Sequence, residues 1–407
     1  MHGKMRILHT ADWHLGDRLG RIDRTDDLRR AVERVADFCR AEKADVLLIA
    51  GDIFSELARP DTLRDAIHHL KETFGPFLHD GGTILALTGN HDNESFCQTL
   101  CDAMSLASPA ANADVIGRMH LAVGPTLLKL PDRNGGFEVQ FLLMPFPTPH
   151  RYFGAPTRYG SLDEKNRQLL AAFARKLGEL RAGATFDPKL PTVLSAHLSV
   201  SGFEIAPLFR MSDREDLVFA NEEIARDYAY VALGHIHKPQ FLAGRENVRY
   251  SGSIERLDLG ETNDAKSVVL ADIGPAGSAT KVTVLPLDAT PIYHLDIVSP
   301  KDQLPTLAER FAHSQRDLVN LRVTYTAGVD NLDEVLRELE KVFPRWYARE
   351  WKESGALGPA LTIGDADRGK SVAETVRDYL TNELTNHSDD ERAAVLDRAE
   401  RLLKEME

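Results

Sequence analysis

Three apolar runs in the first 92 residues, Met5–Leu8, Val46–Ala50 and Thr83–Leu87, each stop at a polar cluster, and this punctuation restricts the fold more than any other feature. The clusters are Asp12-Trp13-His14, Gly51-Asp52 and Gly89-Asn90-His91-Asp92. Between the runs the apolar positions change to helical spacing: Leu28, Ala31, Val32, Val35, Phe38 and Cys39, then Leu63, Ala66, Ile67, Leu70 and Phe74. Buried strands alternating with amphipathic helices give a βαβαβ pattern. In α/β sheets, ligand and catalytic sites gather beyond the C-terminal ends of the strands. Glycine lets the backbone turn sharply there, so the next side chain projects over the sheet edge.

The same punctuation returns later. Thr192–Ala196 runs into His197, and Tyr230–Leu233 runs into Gly234-His235-Ile236-His237. Further strands are expected at Thr126–Leu130, Glu138–Met144, Ser267–Asp272 and Lys281–Leu285. Ser161 with Glu164 makes a capping box before a long helix through Leu169, Phe173 and Leu177. The fold class is α/β, with two sheets packed together and helices outside. A lone histidine beside a strand is most often structural; five such clusters make a constellation. Its donors are carboxylate, imidazole and amide oxygen without thiolate, which suits Mn²⁺, Fe²⁺ or Zn²⁺ better than a cysteine-rich structural zinc site. More than four such groups can hold two ions, roughly 3.5–4 Å apart, that clamp a phosphate and acidify a bridging water. Phosphoryl transfer needs this because charge builds on the phosphate oxygens.

Near residue 287 the texture changes. Residues 1–286 read as the first domain, 287–345 as a small α+β domain, 346–370 as a glycine-containing linker and 371–407 as a helical hairpin capped at Ser371/Glu374 and Ser388/Glu391. A hairpin this small cannot bury both of its apolar stripes alone, so it is expected to dock on a partner. Residues 364–371, GDADRGKS, match the phosphate-loop pattern letter for letter. Asp365 and Asp367 would oppose phosphate there, and too little chain follows for the rest of such a sheet, so the stretch reads as a linker entering a helix. Trp346, Tyr347 and Trp351 lie among Arg345, Arg349 and Lys352 and read as a helix packing on the small domain, with nucleic-acid stacking as the alternative. Arg18, Arg21 and Arg59, near the metal loops, are either DNA-backbone contacts or solvated charges.

The net charge of −13 argues against a simple nucleic-acid binder with a basic footprint, though not against an enzyme that meets phosphates through bound cations. The three cysteines, Cys39, Cys97 and Cys101, argue against a disulfide framework; Cys97 and Cys101 are expected reduced in a packed helix face rather than sharing a metal. No membrane span and no signal peptide are visible, and the expected location is the cytoplasm.

The order D-x-H, GD, GNHD, H and GHxH resembles the calcineurin-like metallophosphoesterase superfamily. Within it the chain looks most like the nuclease subunit of bacterial SbcCD and its archaeal and eukaryotic double-strand-break repair counterparts. LHTADWHLG, AGDIFSELARP, GHIHKPQ and YSGSIERLDLGE carry that closer likeness, over most of residues 4–285. The resemblance implies a metallophosphoesterase fold with a capping domain. It implies two divalent ions, with Mn²⁺ expected: Asp12, His14 and His237 on the first, Asn90, His197 and His235 on the second, and Asp52 bridging. It also implies that His91 binds no metal and instead contacts the scissile phosphate and serves the leaving oxygen as an acid. Asp92 either orients His91 or caps the turn. The implied activity is duplex-end exonuclease and single-strand or hairpin endonuclease in DNA repair and recombination, with an SbcC-type ATPase as the partner that binds ATP. A homodimer is implied through helices near 62–74 and 95–107, with Leu63, Ile67, Phe96 and Leu100 as contacts. The chain departs from the pattern at Ser55, where such nucleases often carry histidine, so no role for that histidine carries over. Two other readings are a small-molecule phosphodiesterase or phosphatase on the same fold and a metal-free binding scaffold; the intact ligand set opposes the second.

Overall fold

A computed structural model of the chain describes residues 3–107, 117–132, 136–153, 158–204, 217–224, 227–311, 315–354 and isolated positions beyond 379. The chain divides into two compact units, Met1–Val323 with Leu332–Glu350, and Thr324–Asn331 with Trp351–Glu407.

Two six-stranded sheets build the first unit. The first runs in the order Lys281–Pro286, Ser267–Ile273, Met5–Thr10, Val46–Ile49, Thr83–Leu87, Met119–Ala122. The last four strands are parallel, and the first two join antiparallel. The second sheet runs Gln240–Leu242, Arg245–Tyr250, Tyr230–Gly234, Thr192–His197, Glu138–Met144, Thr126–Pro131, with a parallel centre and antiparallel edges.

The two-residue period of a strand sorts its side chains between two cores. Val46, Leu48, Leu85 and Leu87 join Val139, Phe141, Val193 and Ala232 between the sheets. Leu47, Ile49, Ile84 and Ala86 face the helices Thr25–Ala41, Pro60–His79 and Glu94–Ala107. Because both faces are buried, these strands read as continuous apolar runs rather than as alternation. The helix Leu162–Ala182 covers the second sheet through Leu169, Ala172, Phe173 and Leu177. Ser161 Oγ accepts from Glu164 N at 3.2 Å, and Glu164 reaches back one residue further than the usual box, accepting from Gly160 N at 2.9 Å. Cys39 and Cys97 are buried in the helix-facing core, and Cys101 faces the Leu121 carbonyl.

The α+β module has a three-stranded sheet, Ile292–Ile297, Leu318–Tyr325 and Trp346–Glu353, with helices Pro300–Arg310 and Leu332–Val342 around Phe311, Val319, Leu321, Leu339 and Phe343. The expectation of a linker beginning at residue 346, or of a packing helix there, is corrected: Trp346–Glu353 is an edge strand. Backbone pairing with its neighbour decides its state, and an edge strand half open to water carries little side-chain pattern. The expected hairpin and the GDADRGKS stretch fall almost wholly outside the described residues.

Much of the module shares a compact unit with the two six-stranded sheets, and a buried ion cluster ties them together. Arg24 Nε donates to Asp27 Oδ2 at 2.6 Å and Arg24 Nη2 to Glu255 Oε2 at 3.0 Å. Arg345 forks onto both Asp27 oxygens, at 3.0 and 2.5 Å. Burial would raise the Asp27 carboxyl, but the hydrogen bonds from Arg345 and Arg24 hold it below the ordinary carboxylate range. The stability this lowering contributes is fully present above about pH 4, the unfolded value, and is lost as pH falls through the lowered folded value. Asp27→Asn strands buried guanidinium groups and is expected to cost about 3–5 kcal/mol near neutral pH. Urea denaturation of the two proteins checks this, and the gap should narrow in acid.

Candidate metal centre

The site is assembled from strand ends of both sheets. The loop after Met5–Thr10 is zipped to the loop after Val46–Ile49: Asp12 N donates to Gly51 O at 3.0 Å, Trp13 N and His14 N share Asp52 O at 2.8 and 3.0 Å, and Leu15 N reaches Ile53 O at 2.9 Å. Asp12, His14, Asp52 and His235 take positive φ, at 54°, 46°, 51° and 100°; Lys43 is the fifth such non-glycine residue among those described. Each costs on the order of 1–3 kcal/mol, and such strain gathers at functional sites.

Glycine enters for two separate reasons. Gly51 has φ +96°, and a Cβ there would lie 2.2 Å from His197 Nδ1. Gly89 is not left-handed; a Cβ would lie 2.0 Å from Asp52 Oδ1, so what it supplies is room for the carboxylate.

The seven expected ligands converge. Asp12, His14 and His237 each offer an atom within 4.8 Å of the others, as do Asp12, Asp52 and His197. Asp52 Oδ2 lies 3.2 Å from His197 Nε2 and 3.6 Å from His14 Nε2. Asn90 Oδ1 lies 3.0 Å from His197 Nε2 and 2.9 Å from His235 Nδ1. His197 Nδ1 sits 2.7 Å from Ala50 O, which can only accept, so Nδ1 carries hydrogen and Nε2 faces Asp52 and Asn90.

These groups fit cations and little else. Asp12 and Asp52 are fully buried and have no lysine or arginine partner among the described residues. The His14 Nε2 atom is buried without a hydrogen bond. Burial pushes His14 down to about 3, against the pull of Asp52. Burial also opposes the His197 cation, yet the Asp52 charge and hydrogen bond raise it to about 9. Asp52, which burial alone would raise, is held well below the usual range chiefly by His197. Two buried carboxylates and inward-facing imidazoles form a donor set for divalent ions.

His91 differs from these groups in being about one-third exposed. Its backbone N donates to Asp52 Oδ1 at 2.8 Å, its ring lies 4.9 Å from that of His14, and Nδ1 is 3.7 Å from Glu56 Oε2. It also forms a possible ligand triple with His14 and Asp52. Asp92 is a turn cap: its oxygens accept from Phe54 N at 2.9 Å and Gly89 N at 2.8 Å. Burial raises its carboxyl to about 6.

Several supporting residues carry no signal in the sequence. Arg151 donates to Gly89 O at 2.9 Å, Phe146 O at 3.0 Å and Asp92 O at 3.3 Å, bracing the Asn90–His91 loop. Glu261 Oε1 holds His237 Nδ1 at 2.7 Å. The buried Lys266 Nζ grips Glu261 Oε2 at 2.6 Å and His237 O at 2.8 Å. Glu261 stands in the YSGSIERLDLGE stretch, but nothing in one sequence pairs it with a histidine 24 residues earlier. A groove of about 710 Å³ opens over the cluster, walled in part by Asn90, His91, Ser55, Glu56, Lys165 and Asn166. Ser55 is turned inward, its Oγ donating to Asp17 Oδ1 at 3.2 Å.

Sheets, strand-end loops and donor set together define a metallophosphoesterase. The chain belongs to the calcineurin-like phosphoesterase family, whose profile matches residues 5–239. It is 30% identical over 302 residues to the SbcD subunit of the SbcCD nuclease of Rhodobacter capsulatus, covering 69% of each chain. The protein of the same name from Bacillus subtilis is 30% identical over 298 residues, 71% of each chain. "DNA double-strand break repair protein Mre11" of Aeropyrum pernix is 26% identical over 295 residues, 72% of this chain and 63% of that one.

Proposed function

We propose that the protein is a two-metal DNA nuclease, cutting duplex ends as an exonuclease and single strands or hairpins as an endonuclease, in double-strand-break repair and recombination. The observation that carries this is the convergence of Asp12, His14, Asp52, His197 and His237 beneath an open groove, in a chain similar to nuclease subunits. Asp12, His14 and His237 would hold one ion and Asn90, His197 and His235 the other, with the Asp52 carboxylate within reach of both sets. Oxygen and imidazole donors without thiolate suit Mn²⁺. Bound there, the ions supply Lewis acidity, neutralising phosphate charge and lowering the pKa of water.

The chain's own groups do the rest. Asp52 Oδ1 fixes the His91 backbone, and Arg151 braces the loop, so the partly exposed imidazole is presented to the groove. There His91 touches the scissile phosphate and gives a proton to the departing sugar oxygen. Lys165, also lining the groove, offers a cation to the backbone. Cleavage of labelled duplex DNA that stops on chelation and returns with Mn²⁺ is the expected result; cleavage indifferent to chelation would overturn the assignment.

Glu261 orients His237 as metal-bound histidines are commonly oriented by a carboxylate. Glu261→Gln is expected to weaken one of two Mn²⁺ sites by about 10–100-fold and to leave the other nearly unchanged, as measured by calorimetric titration of stripped protein.

An SbcC-type ATPase is the proposed partner, docking on residues 371–407, which lie almost wholly outside the described residues. A homodimer is proposed through Pro60–His79 and Glu94–Ala107. Leu63, Ile67, Phe96 and Leu100 lie half-buried against the core, while Leu57, just before the first helix, and Leu106, on the second, are 69% and 81% exposed.

A further inference from the structure

An acidic nuclease needs to hold a polyanion with something besides its metals. The turn Arg18–Asp23, built from the short paired strands Arg18–Leu19 and Ile22–Asp23, holds one answer next to residues that line the groove. Arg18, Leu19 and Gly20 line the groove, while Ile22 and Leu19 pack with Tyr347, Leu259, Ile292 and Leu318. This packing carries Arg21 onto the edge strand. Its guanidinium lies 3.2 Å from the centroid of the Trp346 ring, and that of Arg349 lies 4.1 Å from the same centroid. The two like charges therefore sit within one Debye length, about 8 Å at physiological salt.

Neither guanidinium has a carboxylate or other hydrogen-bond partner among the described residues, in a chain of 62 acidic side chains. The contrast with Arg345, one residue before Trp346, is direct: its fork is spent on Asp27. Stacking on an indole fixes the guanidinium plane and leaves its N–H edges available, the geometry that suits phosphate oxygens. The indole face and solvent offset the repulsion between the two cations, and a bound anion would lower it further.

We propose that Arg21 and Arg349, stacked on Trp346, form a phosphodiester-backbone site outside the metal centre, gripping DNA that flanks the scissile bond. This rests on the nuclease reading. It also adds to the metals a local source of positive charge that the net charge of −13 conceals.

The test is the salt dependence of duplex binding, by fluorescence anisotropy with the metal chelated so that DNA stays intact. Each neutralised phosphate contributes about 0.9 to the slope of log affinity against log salt. The double variant Arg21→Ala/Arg349→Ala should lose about 1.8 from that slope and bind more weakly at low salt. Arg21→Lys/Arg349→Lys keeps the charge without the planar fork and should retain most of the slope. An alanine variant with wild-type slope and affinity overturns the site, as does a lysine variant as impaired as the alanine one, which would make the stack structural. Wild-type protein that binds no DNA in this assay overturns the site, and if it also cuts no DNA once Mn²⁺ is restored the nuclease reading falls with it.

Discussion

Asp52→Asn is expected to lower DNA cleavage on the order of 10³-fold or more, with the fold intact. Cation stabilisation of a phosphoryl transition state supplies several kcal/mol, and about 1.4 kcal/mol is a factor of ten. The substitution separates charge from structure. Asn tolerates the left-handed backbone at φ 51°, and its amide oxygen can still accept from His91 N, as Asp52 Oδ1 does at 2.8 Å. What is lost is the negative charge between His14 and His197, at 3.6 and 3.2 Å, where the proposed ions would need it. Single-turnover cleavage at saturating Mn²⁺, with Mn²⁺ counted per chain, checks this. An active Asn variant would remove Asp52 from the proposed bridging role.

His91→Ala is expected to lower kcat by about 10²–10⁴, the usual contribution of a positioned acid, with both ions still bound. The geometry makes the experiment sharp because His91 also lies within ligand distance of His14 and Asp52. If it is an acid, kcat and kcat/KM fall together and metal stoichiometry holds. If it is a ligand, stoichiometry falls first and added Mn²⁺ restores part of the rate. Its one-third exposure favours the acid, since the histidines assigned to metal are buried.

The doubly buried strands are legible in the sequence because burial on both faces leaves unbroken apolar runs such as Val46–Ile49 and Thr83–Leu87. The residues proposed as metal donors are legible as a set because aspartate, asparagine and histidine recur immediately after such runs. What escapes are contacts that depend on distant chain segments meeting. Glu261 against His237 and Arg151 against Gly89 O leave no periodicity or spacing to detect. Trp346–Glu353 reads as helix or linker because an edge strand's identity lies in its backbone ladder. Its pairing puts Trp346 beside Arg21, a contact across more than 300 residues. Gly89 reads as a turn residue, whereas the space occupied by the Asp52 carboxylate is what excludes a side chain.

The most direct measurement compares end-labelled duplex and hairpin DNA with bis-p-nitrophenyl phosphate as substrates for the full chain in Mn²⁺, with and without the proposed ATPase partner. Shortened duplex and opened hairpins, both dependent on Mn²⁺, are the predicted result. Hydrolysis of the small ester with DNA left intact, even with the partner present, would contradict it and make the protein a small-substrate phosphodiesterase on the same fold.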